Sequence, residues 1–232
     1  MQSGIKIPLF PLGLVLLPQM PLPLHIFEER YKLMIGECLE KNEEFGIVYF
    51  NGTDIQAIGC TASIHKVVKR YNDGRLDILT RGENRFEINE IVDHKPYLEA
   101  GVTFFDDKLE ENTAACRRLA DTGMNLLKQF AGLSGLPGEY GFADMMDVKS
   151  ISFLIAGCEG FSYQEKQKFL EMSSTQERLE KSVGALTKII ERTEITSEIQ
   201  KIIGGNGNMT RFSGIQQYPG GGQNHKWPET AG

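Results

Sequence analysis

Proline governs the opening stretch of this chain. Pro8, Pro11, Pro18, Pro21 and Pro23 are threaded through an apolar run, Ile7-Pro-Leu-Phe-Pro-Leu12 and then Val15-Leu-Leu-Pro-Gln-Met-Pro-Leu-Pro-Leu24. Each proline fixes φ and removes a backbone donor, so the run cannot form a regular helix, and a bilayer-spanning helix is excluded with it. The alternative is extended chain with few ladder bonds at the proline sites, placed near sheet edges. Such backbone suits capture of an extended peptide by strand addition, although most of these apolar groups read as the lining of a barrel interior. Leu14 and Met20 stand in glycine- or proline-flanked turns, where exposure is expected, and are candidate peptide contacts.

Residues 5–105 read as β-rich. Short apolar runs (Ile5–Phe10, Leu14–Leu17, Phe45–Phe50, Ala62–Tyr71, Arg75–Thr80, Arg85–Val92 and Tyr97–Phe105) alternate with turn residues. Phe86, Ile88 and Val92 share one parity, and Leu98, Ala100, Val102 and Phe104 share another, as half-buried strands require. Asn72-Asp73-Gly74 predicts a hairpin with a type I′ turn. One helix interrupts the strands, from about Glu28 to Lys41, with Tyr31, Met34, Ile35, Cys38 and Leu39 on its apolar face.

After Phe105 the period changes to that of helices. Leu109, Cys116, Leu119, Leu126, Leu127 and Phe130 mark one, and a second runs from about Asp144 to Cys158. Ser162-Tyr-Gln-Glu165 is a capping box, and Ser174-Thr-Gln-Glu177 repeats that signature ahead of a long last helix, Thr175–Ile203. Its stripe is Leu179, Val183, Leu186, Ile190, Ile199, Ile202 and Ile203. The predicted class is α+β, with a β-rich part over 1–105, a helical part over 106–203 and a glycine-rich tail over 204–232. The tail has too little apolar side chain to offset its ordering entropy, so flexibility is expected. Phe212, Tyr218 and Trp227 are the groups by which it would dock.

Chemistry is scarce. The 25 Lys and Arg against 31 Asp and Glu leave a formal charge of −6, which disfavours phosphate-backbone binding as the main activity. The N-terminus has no basic stretch followed by an apolar one, so a cytoplasmic protein without membrane attachment is expected. Cys38, Cys60, Cys116 and Cys158 form no C-x-x-C pair and read as buried, reduced thiols, and no metal or cofactor is expected. No phosphate-cradling G-x-x-x-x-G-K-[ST], no G-x-G-x-x-G, no H-E-x-x-H and no G-x-S-x-G occurs, and the four histidines are scattered.

Pro23-Leu-His-Ile-Phe-Glu-Glu-Arg-Tyr31 resembles a run shared by the N-terminal, substrate-binding domain of Lon proteases, by stand-alone LON-domain proteins and by the LON modules of RING-finger proteins. Two further segments resemble the same family in order: Ile58-Gly-Cys-Thr-Ala-Ser-Ile64 with Asp73-Gly74 and Arg81-Gly-Glu-Asn-Arg-Phe86, and Lys166-Gln-Lys-Phe-Leu-Glu171 with Glu177-Arg-Leu179. The resemblance covers about residues 5–203. It implies a PUA-like β pseudo-barrel followed by a helical bundle, and a non-catalytic module that binds unfolded or extended polypeptide. The ATPase and Ser–Lys protease modules that follow this domain in Lon proteases have no counterpart in these residues.

On that reading Leu14, Met20, Phe27, Glu29 and Arg30 are the peptide-binding candidates. Arg30 has a second reading, as a buried partner of a sheet carbonyl or carboxylate. Gly82 is expected to supply a backbone angle that a β-carbon forbids. Two rival functions stay in view: an adaptor that binds a folded partner such as a AAA+ protease, or itself, through the long helix, and an RNA-binding PUA-like module, which the acidic balance opposes.

Overall fold

The computed structural model describes residues 5–108, 114–135 and 146–205. Six strands and five helices follow one another: β1 (Ile5–Leu12), β2 (Pro21–Ile26), α1 (Glu29–Lys41), β3 (Phe45–Phe50), β4 (Ile55–Arg70), β5 (Leu76–Val92), β6 (Glu99–Phe105), α2 (Ala114–Ser134), α3 (Val148–Ala156), α4 (Tyr163–Glu171) and α5 (Thr175–Gly205). The described residues up to Glu194 belong to one compact unit, and those from Ile195 to a second. Leu109, the start of the expected 144–158 helix and the aromatic residues of the tail lie outside the described residues.

The strand order is β2-β5-β4-β3-β1-β6, and β6 pairs again with β5, so five strands close a ring and β2 is appended to it. Two strands make this possible by changing neighbours midway. Ile5–Pro8 of β1 pair antiparallel with β6, whereas Leu9–Leu12 pair parallel with β3. Each half of β1 is therefore laddered on a single side, which is how Pro8 and Pro11 fit within a strand. In β5, Leu76–Arg81 pair with β2 and Arg85–Val92 pair with β6. Ile7, Leu9, Val48, Phe86, Ala100 and Val102 fill the ring.

A larger core joins the ring to the helices. Tyr31, Met34, Ile35 and Cys38 of α1 pack with Phe10 and Phe45, the rings of Phe10 and Tyr31 stacking at 4.1 Å. The same core takes in Cys116, Leu127, Phe153, Leu170, Leu179 and Leu186 from the four later helices. The fold is α+β. All four cysteines are buried and free, and burial pushes the Cys38 thiol up to about 11. Among the described residues no helix is long and apolar enough to cross a membrane.

Several local expectations change. Leu14–Leu17 is a loop, and the strand in this region is β2, two prolines included; Leu16 and Leu17 are nevertheless buried. The Asn72-Asp73-Gly74 hairpin forms with a different turn. Gly74 N–H donates to the Tyr71 carbonyl, and Gly74 alone of the three has positive φ, at 83°. That is a type I turn closed by a left-handed glycine, whereas type I′ needs positive φ at both central residues. Ser162 and Glu165 form the full capping box on α4. On α5 only half of it forms: Ser174 accepts from Glu177 N–H, while the Glu177 carboxylate pairs with Lys181. Leu179, Val183, Leu186 and Ile190 are buried, but Ile199, Ile202 and Ile203 are exposed, because the apolar step from Ile190 to Ile195 is five residues and breaks the stripe.

Candidate functional site

Among the described residues, strand β2 is bonded along one side only, to β5. Amides of successive strand residues point to opposite edges. Leu22 turns its carbonyl to β5, where the Thr80 hydroxyl also donates to it at 2.8 Å. Leu22, Leu24 and Ile26 thus carry the ladder, and Pro21, Pro23 and His25 address the outer edge. Two of those three have no N–H. The outer edge therefore offers carbonyl acceptors with His25 as its one backbone donor.

The side chains alternate in step. Leu22, Leu24 and Ile26 turn inward to the core, whereas Pro21, Pro23 and His25 are exposed. Cross-strand register extends this outer face over β5 and β4 in rows: Pro21–Arg81–Ser63, Pro23–Leu79–Lys66 and His25–Asp77–Lys69. At the far end Phe27 is 59% exposed and stacks beside the His25 ring, whose centroid is 6.0 Å away. His25 Nδ1 lies 2.6 Å from Asp77 Oδ1, and the Tyr71 hydroxyl donates to Asp77 Oδ2 at 2.7 Å. These two hydrogen bonds hold the Asp77 carboxyl below the ordinary carboxylate range. Lys69 and Arg75 lie over the Tyr71 ring, at 4.4 and 5.0 Å.

The five sequence candidates do not converge on one rim. Phe27, Glu29 and Arg30 sit where β2 runs into α1. Lys32 bonds both Glu29 and the Asp73 carbonyl, so this corner abuts the β4–β5 hairpin. Met20 is at the other end of β2, roughly 20 Å away at ~3.3 Å per residue. Its carbonyl accepts from Gly82 N–H, and its methyl rests near Gly157 at the end of α3. Leu14 is half-buried against the core. Arg30 is only partly buried, pairs with Glu28 at 2.8 Å and lies over the Tyr31 ring, so it is not the buried arginine expected. Gly82 has no positive φ; it is glycine because a Cβ would strike the Leu17 carbonyl oxygen.

The buried arginines among the described residues are Arg85 and Arg178, which the sequence reading gave no such role. Both bond Asp107; Arg85 also donates to the carbonyls of Leu170 and Met172, and Arg178 to Ser152 and the Met172 carbonyl. Burial pushes the Asp107 carboxyl up, but hydrogen bonds from Arg178 and Thr175 and the charges of Arg178 and Arg85 outweigh it and hold it low. Above this cluster lies a cleft of about 470 Å³, where β5 changes neighbours, walled by Gln19, Glu83, Phe104, Asp106, Lys149 and Phe153. Its carboxylates are already engaged: Glu83 by Arg81 and Ser63, Asp106 by Lys149. Among the described residues no group of three His, Cys, Asp or Glu side chains has metal-holding geometry.

Comparison with known proteins agrees with this architecture. Residues 6–188 match the family described as the ATP-dependent protease La (LON) substrate-binding domain. The Lon protease of Flavobacterium johnsoniae is 26% identical over 210 residues, which cover 84% of this chain and 26% of that protein. The chain thus spans about a quarter of the length of the curated relatives it matches. A Lon N-terminal domain protein from Xanthomonas campestris superposes with a TM-score of 0.62 at 22% identity, covering 78% of this chain and 98% of the other. The N-terminal domain of the Mycobacterium avium complex Lon protease gives 0.64 at 18% identity, covering 79% and 98%. Only the substrate-binding part of Lon proteases is matched, and the chain belongs to the LON substrate-binding domain family.

Proposed function

We propose that this chain is a non-catalytic module that holds an extended polypeptide against β2 and the outer face beside it. The observation that carries the reading is the exposed ridge Pro21, Pro23, His25 and Phe27, laid along a strand that is bonded on one side only among the described residues. Rings held by a sheet give contact area at small entropic cost, as a site for many different guests requires. Pro21 and Phe27 lie at the two ends of the ridge, a span that an extended segment of about seven residues matches, whereas Met20 is half-buried against the core. Contact is made mainly through side chains. A guest strand added to the outer edge would leave its carbonyls opposite Pro21 and Pro23 without donors.

Titrating a fluorescently labelled, permanently unfolded polypeptide with the full chain tests this. Saturable binding on the order of tens of micromolar is expected, with Phe27→Ala weakening it severalfold. Absence of saturable binding overturns the reading. A second reading, an adaptor for a folded partner, is favoured by Ile195, Ile199, Ile202 and Ile203 of α5, all at least half exposed. Changing them to serine would abolish retention of such a partner and spare peptide binding.

A further inference from the structure

The outer face of β2, β5 and β4 has a charge pattern that the ridge alone does not explain. On a chain of net charge −6, the face carries Arg75, Arg81, Lys66 and Lys69. Arg81 is paired with Glu83 and Arg75 with Asp73, while Asp77 is held between His25 and Tyr71. Among the described residues no carboxylate lies within ion-pair distance of Lys66 or Lys69, and both are exposed. Two bulges in β4, between Ile64 and Lys66 and between Val67 and Lys69, keep these lysines in the same rows as Pro23 and His25. The bulges also leave Val68 60% exposed. Two cations without a carboxylate of their own, Lys66 and the Lys69 that lies over the Tyr71 ring, thus stand across β5 from a line of apolar rings, at a spacing set by the strands.

We infer that the guest of this face is an acidic, apolar polypeptide segment, with aromatic or aliphatic side chains on Pro21, Pro23 and Phe27 and carboxylates directed to Lys66 and Lys69. This rests on the polypeptide-binding reading and adds the chemistry of the guest. An extended segment turns every second side chain to the face, a repeat of roughly 6.7 Å, which is also the distance between host rows. Long-range attraction by two lysines speeds encounter with an acidic guest and slows that of a basic one. The same lysines attract nucleic acid only weakly, because the chain carries a net charge of −6 and the face holds three carboxylates of its own, Asp73, Asp77 and Glu83.

The experiment is fluorescence anisotropy with the full chain and four labelled probes. Three are twelve-residue peptides in which every second residue, the set turned to the face, alternates Phe with Glu, with Gln or with Lys, and serine fills the positions between; the fourth is a single-stranded RNA of twelve nucleotides. The Glu peptide is expected to bind about 5–10-fold more tightly than the Gln peptide at low salt, and the gap should narrow as salt shortens the screening length. In Lys66→Glu/Lys69→Glu, whose fold is checked by thermal melting, the order reverses and the Lys peptide becomes the preferred guest. Lys66→Gln/Lys69→Gln, without added charge, should bring the Glu and Gln peptides level. Equal affinity of all three peptides for the original chain overturns the inference and leaves polypeptide binding standing. RNA binding as tight as the Glu peptide also overturns it. Failure of every peptide to bind removes both.

Discussion

Gln19 lies at φ 66°, the third residue of a turn in which Met20 N–H donates to the Leu17 carbonyl, with Pro18 before it. That position favours glycine, and a left-handed side-chain residue costs about 1–2 kcal/mol. Replacing it by glycine returns about 0.5–1 kcal/mol of this through the entropy of the unfolded chain. Gln19→Gly should therefore stabilise by about 0.5–1 kcal/mol, a rise of roughly 1–4 °C in melting temperature that calorimetry would resolve. A fall would show that the Gln19 side chain, which walls the cleft, contributes more than its backbone strain takes away. Proline at 18 was a visible turn marker, but the left-handed glutamine after it carried no signal, since residue type alone points away from that conformation.

The elements show where reading the chain succeeds. Periodicity located the buried faces of α1 and of the first half of α5, because each packs against a core with one apolar stripe. It failed where tertiary pairing overrides local preference. Pro21 and Pro23 argue against a strand, yet β2 forms because their missing N–H groups fall on the unbonded edge. A face built from β2, β5 and β4 has no signature at all in sequence order, since Pro23, Leu79 and Lys66 become neighbours only through register and a bulge. The prolines also act as a guard on that edge. Pro21→Val/Pro23→Val restores two outward donors beside existing carbonyls and should convert β2 into a pairing template. Concentration-dependent self-association, followed by light scattering, is the expected outcome; a monomer at all concentrations would show that something other than proline protects the edge.

At the scale of the whole molecule, the ring and the helices are locked by one buried carboxylate between two buried guanidiniums. Arg85 comes from β5, Asp107 follows β6 and Arg178 belongs to α5. The family motifs contain both arginines, but no local pattern announces that they meet, and their partner is a plain aspartate after a strand. Removing one member of such a cluster strands the others in a dry site at about 3–5 kcal/mol. Asp107→Asn should cost that much at neutral pH, measured by urea denaturation. The Asp107 carboxyl is depressed in the folded state, so its contribution is complete well above the unfolded value of about 3.9 and disappears as pH falls through the lower folded value. The gap between the original chain and the Asn variant should accordingly stay constant near neutrality and begin to close below about pH 5. A constant gap down to pH 3 would remove Asp107 as the acid-sensitive element.

The hand-over of β1 from one neighbour to another also bears on how the chain is made. Ile5–Pro8 are synthesised before the strands they join, and their partners, Glu99–Val102, belong to the last of the six described strands. Until then the greasy opening segment waits in solvent, near copies of itself on adjacent ribosomes. Prolines spaced along that segment interrupt any ladder it could build with those copies, so the residues that shape the finished ring also keep the nascent chain from clumping before closure.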